Sequence, residues 1–306
     1  ANLSIVIGVA AIVLGIMPAL FLRVRFRDIA LEELEAGEKP GDGTLQILSR
    51  VIGDFFRGFT AAVRFSPFLK LCLATFLVFN GFMMVASFQS YVIIYYVFGG
   101  DQALGAEYAG WAGTPSAIGT FVLIFLVSWL STRIGKRRAF FFSTGVSMLG
   151  YALKWFCYNP DIPWLLLLPA PLIAFGLGGL FTLMGSMIAD VCDMDELQTH
   201  ERREGMFGSI YWWVVKLGMA AALAGGGLLL EATGFDVALE GAQTDATLLW
   251  MRLFDIFVPM ITSAVAIWIV ASYEITEEKA HEVRAELERR RGTVTASDVD
   301  RASLYP

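Results

Sequence analysis

The 306 residues are 56% hydrophobic and only 17% charged, with a mean hydropathy of +0.61. A water-soluble globular domain carries about 25% charged residues, so this composition excludes one and makes lipid the solvent for most of the chain. The net charge of -6 lies mostly in loops and tail without any basic stripe, and no nucleic-acid partner is expected.

A membrane-crossing helix needs roughly 20 predominantly apolar residues. In chain order, residues 3–22, 68–98, 109–130, 139–158, 164–189, 206–230 and 249–272 meet that requirement. The expected fold class is an all-α membrane protein with seven transmembrane helices. The first stretch is no signal peptide: it has no basic start and no small-residue cleavage pattern before Arg23. The connector after it sets Leu45, Leu48, Ile52, Phe55, Phe56 and Phe59 at near-helical spacing around Arg50, Asp54 and Arg57. That pattern suits a helix at the membrane interface, or equally a linker with one short helix packed on protein.

The connections alternate in charge. Arg23, Arg25 and Arg27 come after the first span, Arg133, Lys136, Arg137 and Arg138 after the third, Arg202 and Arg203 after the fifth, and a basic tail after the seventh. The opposite loops carry Asp101, Glu107, Asp161, Glu231, Asp236, Glu240 and Asp245 but no Lys or Arg. Cytoplasmic loops retain Lys and Arg, so the basic side and the carboxy terminus are expected inside. Seven spans ending inside must begin outside, with almost nothing ahead of the first, so the sequence is expected to start partway through a longer protein. The stretch 275–291, dense in Glu and Arg, reads as a solvated helix leading into a disordered end.

Three cations fall within spans, where each needs a partner or water. Lys154 is close enough to the outer end of its span to act as a snorkelling anchor. Arg252 has Asp255 one turn on, which predicts a local ion pair. Lys216 is deepest, near the middle of the sixth span, with Ser209, Trp212 and Met219 on its face and Tyr211-Trp212-Trp213 beside it. These rings suit stacking on a sugar or packing against lipid and neighbouring helices. Phe181 and Thr182 of the fifth span are candidates for the same cavity. Gly176-Leu177-Gly178-Gly179 and Gly225-Gly226-Gly227 lie inside spans and predict close helix approach rather than phosphate binding.

The link between the fifth and sixth spans is the richest in charge: Ala189-Asp190-Val191-Cys192-Asp193-Met194-Asp195-Glu196, then Glu201-Arg202-Arg203-Glu204-Gly205. Such charges form either ion pairs that close one face of a pathway or a solvated loop. Three scattered cysteines and two distant histidines give neither a metal site nor a catalytic cluster.

These two runs, with Val214-Val215-Lys216-Leu217-Gly218 after them, resemble the glycoside-pentoside-hexuronide:cation symporters, a melibiose permease-like family of the major facilitator superfamily. The resemblance implies helices 6 to 12 of a twelve-helix transporter. Residues 1–27 would be the last helix of a missing amino-terminal bundle, 28–65 the cytoplasmic middle loop, 66–273 the carboxy-terminal six-helix bundle and 274–306 the cytoplasmic tail. It implies secondary active, Na+ or H+ coupled symport of a sugar or glycoside by alternating access in a bacterial inner membrane. Lys216, Trp212, Tyr211 and Phe181 would line the substrate and cation pathway, and Asp190, Asp193, Glu196, Arg202, Arg203 and Glu204 would form a cytoplasmic gate. No cofactor is implied beyond the coupling cation, whose main site would lie outside this chain; the partners are the sugar, the bilayer and the missing half. Thr132 stands where the superfamily's short basic loop usually has an acidic residue. The same fold carrying a lysolipid or another small organic solute, a seven-helix receptor or sensor, and a membrane enzyme are the rival readings; the last lacks a nucleophile, base and metal cluster.

Overall fold

The computed structural model of the protein describes residues 16, 53 and 56–290. The expected first span at 3–22, most of the 28–65 connector and the tail beyond Arg290 therefore lie outside the described residues. The chain divides into two compact units, Ala1–Arg57 and Gly58–Pro306.

Every described element of the second unit is helical. Residues 58–64 lead into α1, Ser66–Tyr91, which continues as a π-helical turn over Val92–Val97. Next come α2, Gln102–Ile134, and α3, Lys136–Cys157. A 3-10 turn, Pro163–Leu167, precedes α4, Pro169–Thr199, and α5 spans Glu204–Ala232. The series ends with α6, Asp245–Ala271, and α7, Glu277–Arg290. Local chemistry fixes several boundaries. The Asp101 carboxylate accepts from the backbone N–H groups of Ala103 and Leu104 at 3.0 Å and caps α2, and Thr244 accepts from Thr247 N–H at 3.2 Å and caps α6. Gly135, at φ +85, makes the sharp break between α2 and α3 that a residue with a side chain rarely adopts.

Among the described residues, α1 with its π turn, α2, α4 with its leading turn, α5 and α6 are long and apolar enough to cross a membrane. The protein is thus a multi-pass, all-helical membrane protein. The fourth expected span, α3, falls short on composition, because Ser143, Thr144, Ser147 and Lys154 interrupt its apolar stretch. It nevertheless packs inside the bundle, against α4 on one side and α6 on another. Helix α4 also runs well past the expected end of its span at residue 189. Its last turns carry Asp190 through Glu196, so that motif is helical rather than a loop.

Small residues set how closely the helices approach. A Cβ on Gly176 would lie 2.6 Å from Ser147 Cβ, and one on Gly179 would lie 2.5 Å from Ser143 Cβ, so α3 and α4 meet along a glycine–serine seam. Gly81 likewise admits Thr262 and Pro259 of α6 against α1, and Asn80 donates to the Gly218 carbonyl of α5 at 3.0 Å. Of the second glycine run, Gly225 is tight, with Met84 Cε at 2.7 Å from its would-be Cβ, whereas Gly227 faces open space. Gly179→Val is therefore expected to destabilise the bundle by about 1–3 kcal/mol through overpacking, while Gly227→Val is expected to be near neutral. Comparative thermal unfolding of the two variants in detergent checks this.

The tail corrects the sequence reading. Helix α7 is amphipathic, not fully solvated: Ala280, Val283 and Leu287 are buried, and it packs against α4. Its Glu and Arg side chains hide this apolar stripe, which recurs at three- and four-residue intervals.

Candidate functional site

The charged ends of α3, α4, α5 and α7 meet on one side of the bundle. Asp190, whose side chain is 5% exposed, accepts from Lys136 Nζ at 2.6 and 2.8 Å and from Arg284 at 3.5 Å. Arg284 also approaches Asp193 at 3.9 Å. Asp195 receives both guanidinium arms of Arg203, the Nε bond being 2.9 Å, and this bond holds Arg203 above its ordinary pKa despite partial burial. Arg202 bridges Glu196, at 3.1 Å, and Glu204. Arg290 reaches the Leu197 carbonyl and His200 Nδ1, both at 3.3 Å. All six residues expected to form a gate are thus in ion pairs. A cavity of about 660 Å³ opens beside them, lined by Arg133, Lys136, Arg138, Asp190 and Glu277 among others.

Sequence reasoning misses three members of this network. Asp195 belongs to the charged link but not to the expected gate, yet it pairs with Arg203 just beyond the turn that ends α4. Lys136 and Arg284 read as markers of topology only. The helical spacing of Asp190 and Asp193 and the apolar stripe of α7 are the signals that could join them.

On α5, Ser209, Trp212, Lys216 and Met219 are all exposed, as their shared face predicts. Trp212 stacks on Phe181 of α4 at 6.2 Å between ring centroids, the planes 14° apart. Lys216 makes no hydrogen bond or ion pair with any described residue. Tyr211 does not join this face. It is packed into the bundle at 5% exposure, meeting Trp212 only edge-on.

The remaining two cations in spans are placed differently from the sequence reading. Lys154 does not snorkel: it is 1% exposed and donates to both oxygens of Asp255, at 3.0 and 3.1 Å, and to Gln89 Oε1 at 3.3 Å. The rings of Tyr151 and Tyr158 lie 5.7 and 5.5 Å from the ammonium. Burial forbids an unpartnered charge, and a carboxylate across the interface outcompetes a long reach to the surface. Asp255 is therefore taken from Arg252. That guanidinium lies over Tyr96 at 4.1 Å and Trp155 at 4.3 Å and donates to the Trp155 carbonyl at 2.7 Å.

Comparison with known proteins accounts for this architecture. The family described as MFS/sugar transport protein matches residues 46–277. An uncharacterised symporter of Synechocystis sp. is 28% identical over 211 residues, covering 68% of this chain and 38% of its own length. A glucuronide carrier protein homolog of Escherichia coli is 26% identical over 177 residues, 57% of this chain and 37% of its own. An uncharacterised symporter of Bacillus subtilis is 23% identical over 224 residues, 73% and 46% respectively. The matched part is thus less than half the length of each of these relatives. The family model spans most of the chain, and the chain belongs to the MFS/sugar transport family, the glycoside-pentoside-hexuronide symporters of the major facilitator superfamily.

Proposed function

We propose that this chain is the carboxy-terminal bundle, with one preceding helix, of a cation-coupled sugar or glycoside symporter. In this reading residues 1–27 close an amino-terminal bundle, 28–65 form the middle loop, 66–273 are helices 7 to 12 and 274–306 the tail. The one-sided distribution of Arg and Lys supports a cytoplasmic carboxy terminus, in a bacterial inner membrane. Solute and Na+ or H+ would bind near the midplane, and the two bundles would rock to open the site to each side in turn. The ion pairs around Asp190 and Asp195 would hold one of those two states. The names of two relatives as symporters and a third as a glucuronide carrier homolog support both the coupling and the class of cargo.

The observation that carries the reading is Lys216, exposed near the middle of an apolar helix and without a partner among the described residues. A cation there is costly unless it faces water or an opposing carboxylate, which favours a counter-charge on the facing bundle. Full-length protein in vesicles should accumulate a radiolabelled glucuronide under an imposed Na+ or pH gradient. Lys216→Ala is expected to reduce that uptake about tenfold or more and to abolish its dependence on the gradient. Unchanged rate and gradient dependence would remove Lys216 from the mechanism, and uptake of a lysolipid in place of any glycoside would change the cargo.

A further inference from the structure

A second polar feature lies on the bundle, apart from the Lys216 face and from the charge network. A cavity of about 200 Å³ opens between α1, α2 and α4, lined by Gln89, Ser90, Ala109, Gly113, Ser116 and Ile173 among others. Most of its wall is apolar, with three neutral polar side chains converging on it. The hydroxyls of Ser90 and Ser116 make no hydrogen bond to any described residue.

Gln89 is oriented by what lies behind it. Its amide meets Lys154 Nζ at 3.3 Å, and a lysine ammonium can only donate. The carbonyl oxygen must therefore face the lysine, which settles the orientation of an amide whose two ends are otherwise alike. The two N–H donors are left over, and no described residue accepts from them. Lys154 is in turn held by Asp255, so the amide is aimed by a buried, net-neutral pair. A pocket with an amide donor, two hydroxyls and no net charge reads hydroxyl groups, not carboxylates. Its volume is below the 300–1,000 Å³ of sites that enclose a whole drug-sized ligand, so it takes one end of a solute.

We infer that this pocket is a subsite for a hydroxyl-bearing end of the transported solute, with Gln89 as the residue that reads it. The assignment rests on the proposed sugar transport and adds a position to it. Gly113 gives a direct test, because a Cβ added there meets nothing within 4 Å, and Gly110, one turn earlier and outside the pocket, is equally open. Cys72, Cys157 and Cys192 are all buried, so in a background with any cysteine outside this chain replaced by serine an introduced cysteine dominates alkylation by a small maleimide.

In full-length protein, saturating phenyl glucuronide or methyl glucoside is expected to slow alkylation of Gly113→Cys about tenfold and to leave Gly110→Cys unaffected. Gln89→Leu, which keeps the bulk and removes the donors along with the oxygen that meets Lys154, should raise KM for uptake about tenfold, the effect of one hydrogen bond, while kcat stays within about twofold because Asp255 still holds Lys154. A general loss of packing would lower kcat and the melting temperature as well. Uptake by the wild type with equal alkylation of Gly113→Cys in the presence and absence of solute overturns the subsite alone. Failure of the wild type to take up any glycoside overturns the subsite together with the function on which it rests.

Discussion

Lys154→Met should destabilise the bundle by about 3–5 kcal/mol, and adding Asp255→Leu to it should restore most of the loss. Methionine matches the length of the lysine stem, so little packing is lost, but Asp255 would remain as an uncompensated carboxylate at 1% exposure. Lys154 ties α3 to α6 directly and to α1 through Gln89, so three helices lose a common partner at once. An apolar pair of similar volume removes the stranded charge along with its partner, which is why the double variant should recover. Equilibrium unfolding of both single variants and the double variant in mixed micelles measures the coupling. Single variants that melt within about 2 °C of the wild type would mean that water reaches the pair and screens it.

Asp190→Asn is expected to slow transport by about ten- to a hundredfold while lowering the melting temperature by only about 5 °C. The substitution keeps the shape and removes the charge that Lys136 and Arg284 share. Hydrogen bonds to a charged group contribute about 1.5–3 kcal/mol, and every 1.4 kcal/mol is a factor of about ten in an equilibrium. If the network holds one of two alternating states, weakening it shifts their populations by that factor. The exchange Lys136→Asp with Asp190→Lys restores the attraction with its sign reversed and should recover part of the rate, although Arg284 then meets a like charge. Initial uptake rates in vesicles, beside melting curves, separate a shifted equilibrium from a damaged fold.

The run of apolar residues is enough to place the described helices, because a chain dissolved in lipid must bury its own backbone groups along each span. It fails where helices extend beyond the hydrocarbon. The turns of α4 past residue 189 carry charge, and apolar runs stop there while the hydrogen-bonded backbone does not. Pairing is harder to read than placement. Asp255 has a cation three residues before it and another about a hundred residues away, and local spacing favours the first. The choice of Lys154 depends on which faces of α3 and α6 meet, a property of packing that no window of sequence contains. The Lys216 face is legible because Ser209, Trp212, Lys216 and Met219 repeat at helical intervals on a single element. Tyr211 is misplaced for the same reason that they are placed well: adjacent residues on a helix point about 100° apart, so a run of three aromatic residues cannot share one face.

The glycine–serine seam and the carboxylates of the charge network lie on the same helix, with no internal proline between Gly179 and Asp190. At a rise of about 1.5 Å per residue they are roughly 16 Å apart along one stiff rod. A shift of α4 along α3 would carry Asp190 with it and part that carboxylate from Lys136. The close packing deep among the helices and the ion pairs at their ends are in this way joined mechanically by one helix.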